Sequence, residues 1–315
     1  MVMLLCFSGC GKNEKQPQVI TNVSYDPTRE FYEEYNALFE NKYKDEHQED
    51  IKVVQSHGGS GSQARSVVEG CNADVVTLAL EHDITLIEKT GLIDEGWKEK
   101  LDKDSSPYTS TIVFVVRKGN PKQILDWEDL VKDGIEVITP DPKSSGGACW
   151  NFMAALSYSK TVYQTEEEQN EFIARLYENV SVMDSGARGA TTTFVENGKG
   201  DVLISWENEA FTIVHSYPEE YEIINPSVSI LAQPSVAVVS DNVRANHTEQ
   251  ISQEYLEFLY SKQAQRLAGK YGYRPSDPEV LEEYKDTFDL SIHRDMKNIP
   301  ETWQLEHLLQ TFPLS

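Results

Sequence analysis

The segment Ile135–Phe152, IEVITPDPKSSGGACWNF, decides the fold because it reads as a buried strand, a turn and a buried helix. Two serines and two glycines stand directly ahead of that helix. The first backbone N–H groups of a helix have no intrahelical partner, and the helix dipole places about half a positive charge there. Glycine lets the backbone approach a ligand closely, and serine adds a hydroxyl donor without adding charge. The segment therefore predicts a helix start that can hold an anion.

The order of strand, turn and helix recurs along the chain, which favours an α/β fold with mostly parallel sheets. The strand VITNVSY leads to Asp26-Pro27, which we interpret as an N-cap followed by the first helical residue. The next helix is predicted to have one apolar face, formed by Phe31, Tyr35, Leu38 and Phe39. Further along, DVLISWENEA reads as a strand followed by a loop.

Four turns rich in glycine, serine or aspartate each follow a predicted strand: SYDPT, HGGSGS, KSSGGA and DSGARGA. The carboxyl ends of strands in an open α/β sheet face a common crevice, so these turns are predicted to converge on one ligand. HGGSGS lacks the Lys-Ser/Thr that ends a P-loop, and no G-x-G-x-x-G motif with a following acidic residue opens a dinucleotide fold. The turns therefore predict a small anion rather than a nucleotide.

Length and charge limit the other function classes. A chain of 315 residues predicts two lobes or one large α/β unit. The formal net charge of −24 excludes nucleic acid as a partner, because a phosphate backbone requires a clustered basic face. A small anion stays possible as a ligand. The exposed carboxylates of the surface are screened over roughly 8 Å at physiological salt, whereas the donors of a pocket act on the anion in direct contact.

The N-terminus predicts export. MVMLLCFSG is too short to span a bilayer and resembles the end of a signal peptide, although no basic residue precedes it. FSGC resembles a bacterial lipobox with Cys10 as the lipidated residue, so residues 1–18 are predicted to be signal, lipobox and linker. A frayed terminus with an incidental cysteine is the alternative. Cys71 and Cys149 have no metal-ligand spacing and are predicted to be buried free thiols, with a disulfide between them as the alternative. No metal or cofactor is expected.

Long strings of the sequence resemble the sulfate-binding proteins of bacterial ABC transporters. The resemblance extends from about Ile20 to Asp286 and fades after Thr287. The strings that carry it are SYDPTRE, QSHGGSGSQA, ADVVTLAL, PYTSTIVFVVRKGNPKQI, VITPDPKSSGGA, DSGARGAT, TFVENGKGDVLISWENEA and the YGYRP segment.

This resemblance implies an α/β fold of the two-lobed periplasmic-binding-protein type II, in which each lobe is a mostly parallel sheet flanked by helices and the ligand lies in the cleft. The implied lobes are residues 19–112 plus 231–315, and residues 113–230. The resemblance also implies a monomeric extracytoplasmic protein that captures sulfate, possesses no enzymatic activity and delivers its ligand to the membrane subunits of an ABC permease. Membrane attachment is expected only through the lipid anchor.

In the resembled family, sulfate is held by uncharged donors, and each family position bears a suitable residue here. The implied donors are the backbone N–H groups of Asp26, Ser60, Gly146, Gly147 and Ala187, the Ser145 hydroxyl and the Trp206 indole N–H. An indole offers a donor and no acceptor, which suits an anion that carries no proton. Trp206 could also be an ordinary core residue, and Ser145 could cap a helix while still binding the anion.

Other residues near these positions receive simpler interpretations. Arg188 is expected to brace its own loop through Asp184 rather than to pair with the anion. His57 is expected to be a turn residue. Glu207 and Glu209 are expected to point away from the ligand, because they would repel an anion.

Three alternatives remain open. GGACW resembles the signature of papain-like cysteine proteases, with Cys149 as nucleophile and His293 as base, although the first cysteine of that signature is Gly146 here. Phosphate, thiosulfate or molybdate could replace sulfate. A phosphate site needs an acceptor for the phosphate proton, and the donor positions supply none unless the Asp26 side chain turns inward instead of capping its helix. The residues cannot separate thiosulfate from sulfate. An interaction lipoprotein with a degenerate pocket is the third class.

Overall fold

The computed structural model describes residues 17–289. The predicted lipidation site at Cys10 and the candidate base His293 lie outside these residues. Within residues 17–289, no helix is both long enough and apolar enough to cross a bilayer.

Strands and helices alternate over much of the described chain. The strands are β1 Gln18–Tyr25, β2 Ile51–Gly58, β3 Val75–Leu78, β4 Tyr108–Arg117, β5 Val137–Pro140, β6 Val180–Asp184, β7 Val202–Trp206, β8 Tyr221–Ile224, β9 Leu231–Ala232, β10 Ser235–Val238 and β11 Arg274–Pro275. The helices are α1 Arg29–His47, α2 Ser60–Val68, α3 Glu81–Glu88, α4 Asp102–Ser105, α5 Gly146–Val162, α6 Glu166–Glu178, α7 Ala187–Val195, α8 Glu207–Ser216, α9 Ser240–Asn246, α10 Glu249–Phe258, α11 Lys262–Lys270 and α12 Pro278–Glu283. Short 3-10 turns lie at Asp26–Thr28, Trp97–Lys100 and Trp127–Val131. The alternation is interrupted where β8, β9 and β10 follow one another directly, as do α9, α10 and α11.

The first lobe is built on a four-stranded sheet in the order β10-β3-β1-β2. β1 is parallel to β2 and β3, and β10 is antiparallel to β3. Helix α1 packs on this sheet through an aromatic face in which Phe31, Tyr35 and Phe39 are buried, as its sequence predicts. The predicted fourth member of that face, Leu38, is partly buried.

The second sheet has seven strands with the path β11-β4-β7-β5-β6, to which β8 and β9 add beside β4. Its strands β5, β6, β7 and β8 belong to the predicted second lobe, whereas β9, β11 and the start of β4 fall within the residues predicted for the first lobe. β5 is parallel to β6 and β7, as predicted. The expectation of a mostly parallel sheet is wrong for β4, which is antiparallel to β7, β8, β9 and β11. The chain enters β4 directly from the first lobe, so β4 is not part of the strand-helix-strand series that makes neighbouring strands parallel.

β4 connects the two lobes. At its start, Tyr108 lies in the aromatic core of the first lobe, and further along Phe114 lies in the core of the second lobe. The predicted lobe boundary at Ile112 and Val113 falls inside this strand, and the lobe limits stay a prediction.

The predicted turns connect strand ends to helix starts in both lobes: β1 to the turn before α1, β2 to α2, β5 to α5 and β6 to α7. After β7, where the sequence predicted a loop, α8 begins at Glu207. Glu207 and Glu209 lie in the first turn of α8, where acidic side chains interact favourably with the helix dipole. All these helix starts lie at the carboxyl ends of their strands.

Candidate functional site

The five predicted backbone donors all occupy starting positions of helical segments. They are Asp26 at the start of the 3-10 turn, Ser60 at the start of α2, Gly146 and Gly147 at the start of α5, and Ala187 at the start of α7. The backbone N–H groups at such positions have no acceptor within their own helix. The fold thus supplies oriented donors from five residues without using a charged side chain.

The starts of α2 and α5 touch across the cleft between the lobes. A β-carbon added to Gly146 would lie 2.8 Å from Ser60 Cβ, and one added to Gly59 would lie 2.9 Å from the carbonyl oxygen of Ser144. On the other side of the α5 start, a β-carbon on Gly147 would lie 3.4 Å from Trp206 Nε1. The absence of side chains at these glycines therefore permits the close approach.

The remaining donors join the same cluster from the β1 and β6 turns. A β-carbon on Gly186, the residue before Ala187, would lie 3.7 Å from Asp26 Oδ2. The ring of Tyr25, the residue before Asp26, lies 5.6 Å from the Trp206 ring, centroid to centroid. These contacts place the residues that carry the predicted donors, or their immediate neighbours, beside one another at the meeting of the two lobes.

The helical turn at Asp26 begins one residue earlier than the sequence suggested. Tyr25 occupies the N-cap position and Asp26 is already helical, so the prediction of Asp26 as an N-cap is wrong. Its carboxylate has one oxygen 3.4 Å from the Arg29 guanidinium and the other beside Gly186. The side chain therefore neutralises Arg29 while the backbone N–H of Asp26 stays at the start of the turn.

Ser145 caps α5, as one of its two predicted roles requires. Its Oγ accepts a hydrogen bond from the Ala148 N–H at 3.3 Å. Accepting this bond uses a lone pair and leaves the hydroxyl proton available for donation to a ligand. The cap and a ligand contact are thus compatible.

Trp206 is buried at the end of β7, beside the α5 start, but its indole N–H already has an acceptor. Trp206 Nε1 donates to the carbonyl oxygen of Gly147 at 3.0 Å. A ligand contact by this indole therefore requires the N–H to turn from the Gly147 carbonyl to the ligand.

Arg188 has a different partner from the one expected. Its Nη2 lies 2.7 Å from Glu30 Oε1, so it pairs with α1 of the other lobe and not with Asp184. Arg188 is the second residue of α7 and points outward over the cleft, whereas Asp184 packs against Gly189 inside its own turn. The guanidinium thus bridges the lobes at the rim.

The two glutamates after Trp206 have distinct environments. Glu207 forms a buried ion pair with Arg274, at 2.6 Å and 2.8 Å. Glu209 faces a cavity of about 260 Å³ between the lobes, which Glu30 and Arg188 also line. Burial and the nearby Glu30 carboxylate raise the pKa of Glu209 to about 7.

The Ser60 side chain stabilises the α2 start, and His57 lies nearby at the end of β2. The Ser60 hydroxyl donates to the buried carboxylate of Asp83 and accepts from the Ala79 N–H at 3.0 Å. Burial raises the pKa of Asp83. His57 Nδ1 lies 3.4 Å from the Tyr25 carbonyl oxygen, and burial lowers the pKa of its imidazole. His57 lies in β2, opposite Ser24 of β1, so the expectation that it is a turn residue is wrong. The strand continues to Gly58, two residues before α2 begins.

The Cys149 thiol is a poor nucleophile. It is buried and donates to the Pro142 carbonyl at 3.0 Å, and burial raises its pKa well above the usual value. Cys71 is also a free thiol but is only partly buried, so the prediction of full burial is wrong for Cys71. A nucleophilic cysteine needs a lowered pKa and access to its substrate.

Possible metal ligands converge elsewhere in the described part of the chain. Glu46, His47 and Glu254 bring their ligand atoms within 4.8 Å of one another on the outer surface of α1 and α10. The Lys42 ammonium already pairs with Glu46, and His47 already bonds Glu254 at 2.9 Å.

Sequence reasoning missed a second tryptophan at the interface between the lobes. Trp150 Nε1 donates to the carbonyl oxygen of Ala79, across the cleft, at 2.8 Å. The spacing could have revealed it, because Trp150 lies four residues after Gly146 and hence on the same face of α5. The ring of Tyr25, which contacts Trp206, was not predicted to lie at the site. No motif in the neighbouring sequence distinguishes Tyr25 from an ordinary aromatic residue at the end of a strand.

Comparisons with known proteins agree with this architecture. Residues 20–274 match the family model described as bacterial extracellular solute-binding protein. The sulfate-binding protein of Escherichia coli is 52% identical over 271 residues, which cover 85% of this chain and 82% of that relative. A thiosulfate-binding protein of Pseudomonas aeruginosa is 42% identical over 273 residues, which cover 86% of this chain and 82% of that relative.

A solved structure extends the likeness to three dimensions. The sulfate-binding protein SubI from Mycobacterium tuberculosis superposes with a TM-score of 0.78 at 33% identity, covering 88% of this chain and 93% of that chain. The fold is therefore the two-lobed type II fold of periplasmic binding proteins. The chain belongs to the bacterial extracellular solute-binding proteins, in the branch whose relatives are named sulfate-binding and thiosulfate-binding proteins.

Proposed function

We propose that the protein captures sulfate outside the cytoplasm and delivers it to the membrane subunits of an ABC importer. The observation that carries this proposal is the cluster of helix-start amides from both lobes, with Ser145 and Trp206 beside it. Arg188, the cation nearest in sequence to a predicted donor, is paired with Glu30. Such a site favours an anion without a proton, because its predicted donors include no acceptor for one.

The energetics are adequate without a direct ion pair. Seven charge-assisted hydrogen bonds at about 1.5–3 kcal/mol each would total more than about 10 kcal/mol, whereas micromolar binding requires about 8 kcal/mol. The surplus would compensate the dehydration of the dianion and the loss of freedom on closure of the lobes.

The names of the relatives support both sulfate and thiosulfate, and sulfate is our first choice because the relative with 52% identity is named for it. Phosphate ranks below sulfate, since the predicted donors themselves include no acceptor for its proton. A nearby acceptor is the Asp26 carboxylate, of which one oxygen lies 3.4 Å from the Arg29 guanidinium. We also propose that the protein has no enzymatic activity. The buried Cys149 thiol supports this, because its raised pKa leaves it protonated.

The location and the oligomeric state of the protein are further parts of the proposal. We propose that the protein is a monomer whose lobes are residues 19–112 plus 231–315, and residues 113–230. Lipidation of Cys10 would hold it at the outer face of the cytoplasmic membrane. Mass spectrometry of the membrane fraction would detect a lipid-modified N-terminal cysteine, and an unmodified N-terminus would contradict the anchor.

Calorimetric titration with sulfate, thiosulfate, phosphate and molybdate tests the function. We expect sulfate to bind with micromolar affinity or better and phosphate to bind weakly at neutral pH. Tighter binding of thiosulfate would reassign the ligand within the same site. No binding of any of the four anions would contradict the proposed function.

A further inference from the structure

The YGYRP segment, Tyr271–Pro275, lies between α11 and α12. Its last two residues form β11 and pair with the start of β4, with Arg274 opposite Thr109. Nothing in this segment belongs to the predicted donor set. Its side chains nevertheless contact two of the elements that carry the donors.

Tyr273 contacts the donor turn of the first lobe. Its hydroxyl donates to the carbonyl oxygen of Pro27 at 2.9 Å, one residue after Asp26. The Tyr273 ring is fully buried and packs on the Tyr108 ring, with 4.7 Å between the ring centroids. The hydroxyl is therefore held rigidly, and it fixes the 3-10 turn that presents the Asp26 N–H.

Arg274 contacts the end of β7 in the second lobe. Its Nε lies 2.6 Å from Glu207 Oε2, and its Nη2 lies 2.8 Å from Glu207 Oε1. The two side chains are only 1% and 3% exposed. A bidentate pair of this kind has a defined geometry, so it fixes the backbone directly after Trp206.

Gly272 allows the segment to lie against α8. Its φ is +77°, and an added β-carbon would lie 3.0 Å from Asn208 Cα and 3.1 Å from Phe211 Cδ2. Because successive side chains of an extended segment point in opposite directions, the neighbours Tyr273 and Arg274 reach opposite lobes. One short segment thus connects the turn at Asp26 to Trp206.

We propose that Tyr273 and Arg274 are positioning residues that set the distance between the Asp26 N–H and the Trp206 indole, so that both donors meet one oxyanion. This inference rests on the proposed function. Neither side chain touches the anion. Each acts through one neighbouring residue, Pro27 for Tyr273 and Glu207 for Arg274.

The first test uses Tyr273→Phe, which removes one hydroxyl and leaves the ring in place. Sulfate affinity measured by calorimetry should fall about tenfold, because the Pro27 carbonyl loses its donor and the turn relaxes. Tyr284→Phe is the matched control, since it removes a hydroxyl that bonds to the Arg266 carbonyl at 2.8 Å, in the same C-terminal part of the chain. The control should bind sulfate like the wild type.

The second test separates positioning from general destabilisation. Arg274→Lys keeps the charge but loses the bidentate geometry, and it should weaken sulfate binding several-fold. If Arg274 acts through Trp206, adding Arg274→Lys to Trp206→Phe should lower sulfate affinity little further. If Arg274→Lys only destabilises the fold, the double variant should lose the sum of the two single losses in binding free energy. This cycle also carries the test if Tyr273→Phe does not fold.

The proposed function and the positioning role of Tyr273 and Arg274 can fail separately. Wild-type affinity in both Tyr273→Phe and Arg274→Lys would overturn the positioning inference and leave the proposed function intact. Full additivity of Arg274→Lys with Trp206→Phe would also overturn it. If the wild-type protein binds none of the oxyanions, the proposed function fails, and the positioning inference fails with it.

Discussion

Arg188 and Glu30 form an ion pair across the cleft, with 2.7 Å between Nη2 and Oε1, at the rim of the donor cluster. The two side chains are 57% and 53% exposed, so solvent screens their attraction. The pair thus gives Arg188, the cation directly after the predicted donor Ala187, a partner other than the ligand. We therefore expect the pair to contribute to closure of the lobes rather than to neutralisation of a bound anion.

Replacing Arg188 by Met should therefore weaken sulfate binding by less than about 1 kcal/mol, which is less than about fivefold. Calorimetry of the variant measures this. Glu30→Gln should have a similar effect, and the double variant should lose little more than either single variant. A loss of a hundredfold or more in Arg188→Met alone would instead indicate that the guanidinium contacts the anion.

Gly146→Ala should prevent full closure of the lobes. The new β-carbon would lie 2.8 Å from Ser60 Cβ and 3.2 Å from Ala79 Cβ, which are short side chains that cannot move aside. Sulfate affinity should fall at least about tenfold, since closure brings the donors together.

Gly61→Ala is the matched control for this prediction. Its β-carbon would meet Arg65 and Asp83 at ordinary distances of 3.5 Å and 3.7 Å, and alanine favours the helix. Small-angle X-ray scattering with sulfate should show a larger radius of gyration for Gly146→Ala than for Gly61→Ala. Equal radii and equal affinities would contradict the steric argument.

The two roles of Ser145 can be separated by two substitutions. Ser145→Ala removes the hydroxyl and the cap, and should lower the free energy of unfolding by about 1 kcal/mol, whereas Ser145→Gly should lower it by only a few tenths of a kcal/mol. Both should weaken sulfate binding by about 1–3 kcal/mol, the contribution of a hydrogen bond to a charged group. Normal affinity in Ser145→Gly would remove this hydroxyl from the site.

Glu209 should make stability depend on pH. Its pKa of about 7 in the folded protein lies above the usual value, so the folded state binds this proton more tightly than the unfolded state. This tighter binding of the proton stabilises the folded protein fully below about pH 4.5, the ordinary pKa of glutamate. The stabilisation is lost as the pH rises through about 7. The free energy of unfolding, measured with denaturant, should therefore fall from pH 5 to pH 8 in the wild type. In Glu209→Gln the fall should be smaller by about 1–3 kcal/mol.

Glu219→Gln is the control for this pH effect, since it removes a carboxylate that is exposed on the surface. It should show the pH dependence of the wild type. An identical pH dependence in Glu209→Gln would contradict the raised pKa.

Local features of the site were predictable from the sequence. The strand, turn and helix of IEVITPDPKSSGGACWNF predicted the start of α5, and the structure places α5 from Gly146 with Ser145 as its cap. Each donor amide lies at the start of a helix that its own turn residues specify. Helix starts depend on a few consecutive residues, so one sequence suffices to locate them.

Relationships between distant residues were not predictable in the same way. Arg188 was expected to pair with Asp184, four residues away, but it pairs with Glu30, which is 158 residues away. The contact of Tyr273 with Pro27 also depends on how distant parts of the chain meet. The antiparallel position of β4 has the same origin, because the strand arrives from the other lobe. Local patterns carry no information on such contacts.

A crystal structure of the protein with bound sulfate tests the central claim most directly, because it shows which groups touch the anion. The account predicts that the N–H groups of Asp26, Ser60, Gly146, Gly147 and Ala187, the Ser145 hydroxyl and the Trp206 indole surround the sulfate oxygens, with the indole turned away from the Gly147 carbonyl. No lysine or arginine nitrogen should lie within hydrogen-bond distance of the anion. A guanidinium of Arg29 or Arg188 bonded to sulfate, or a sulfate bound away from these donors, would contradict it.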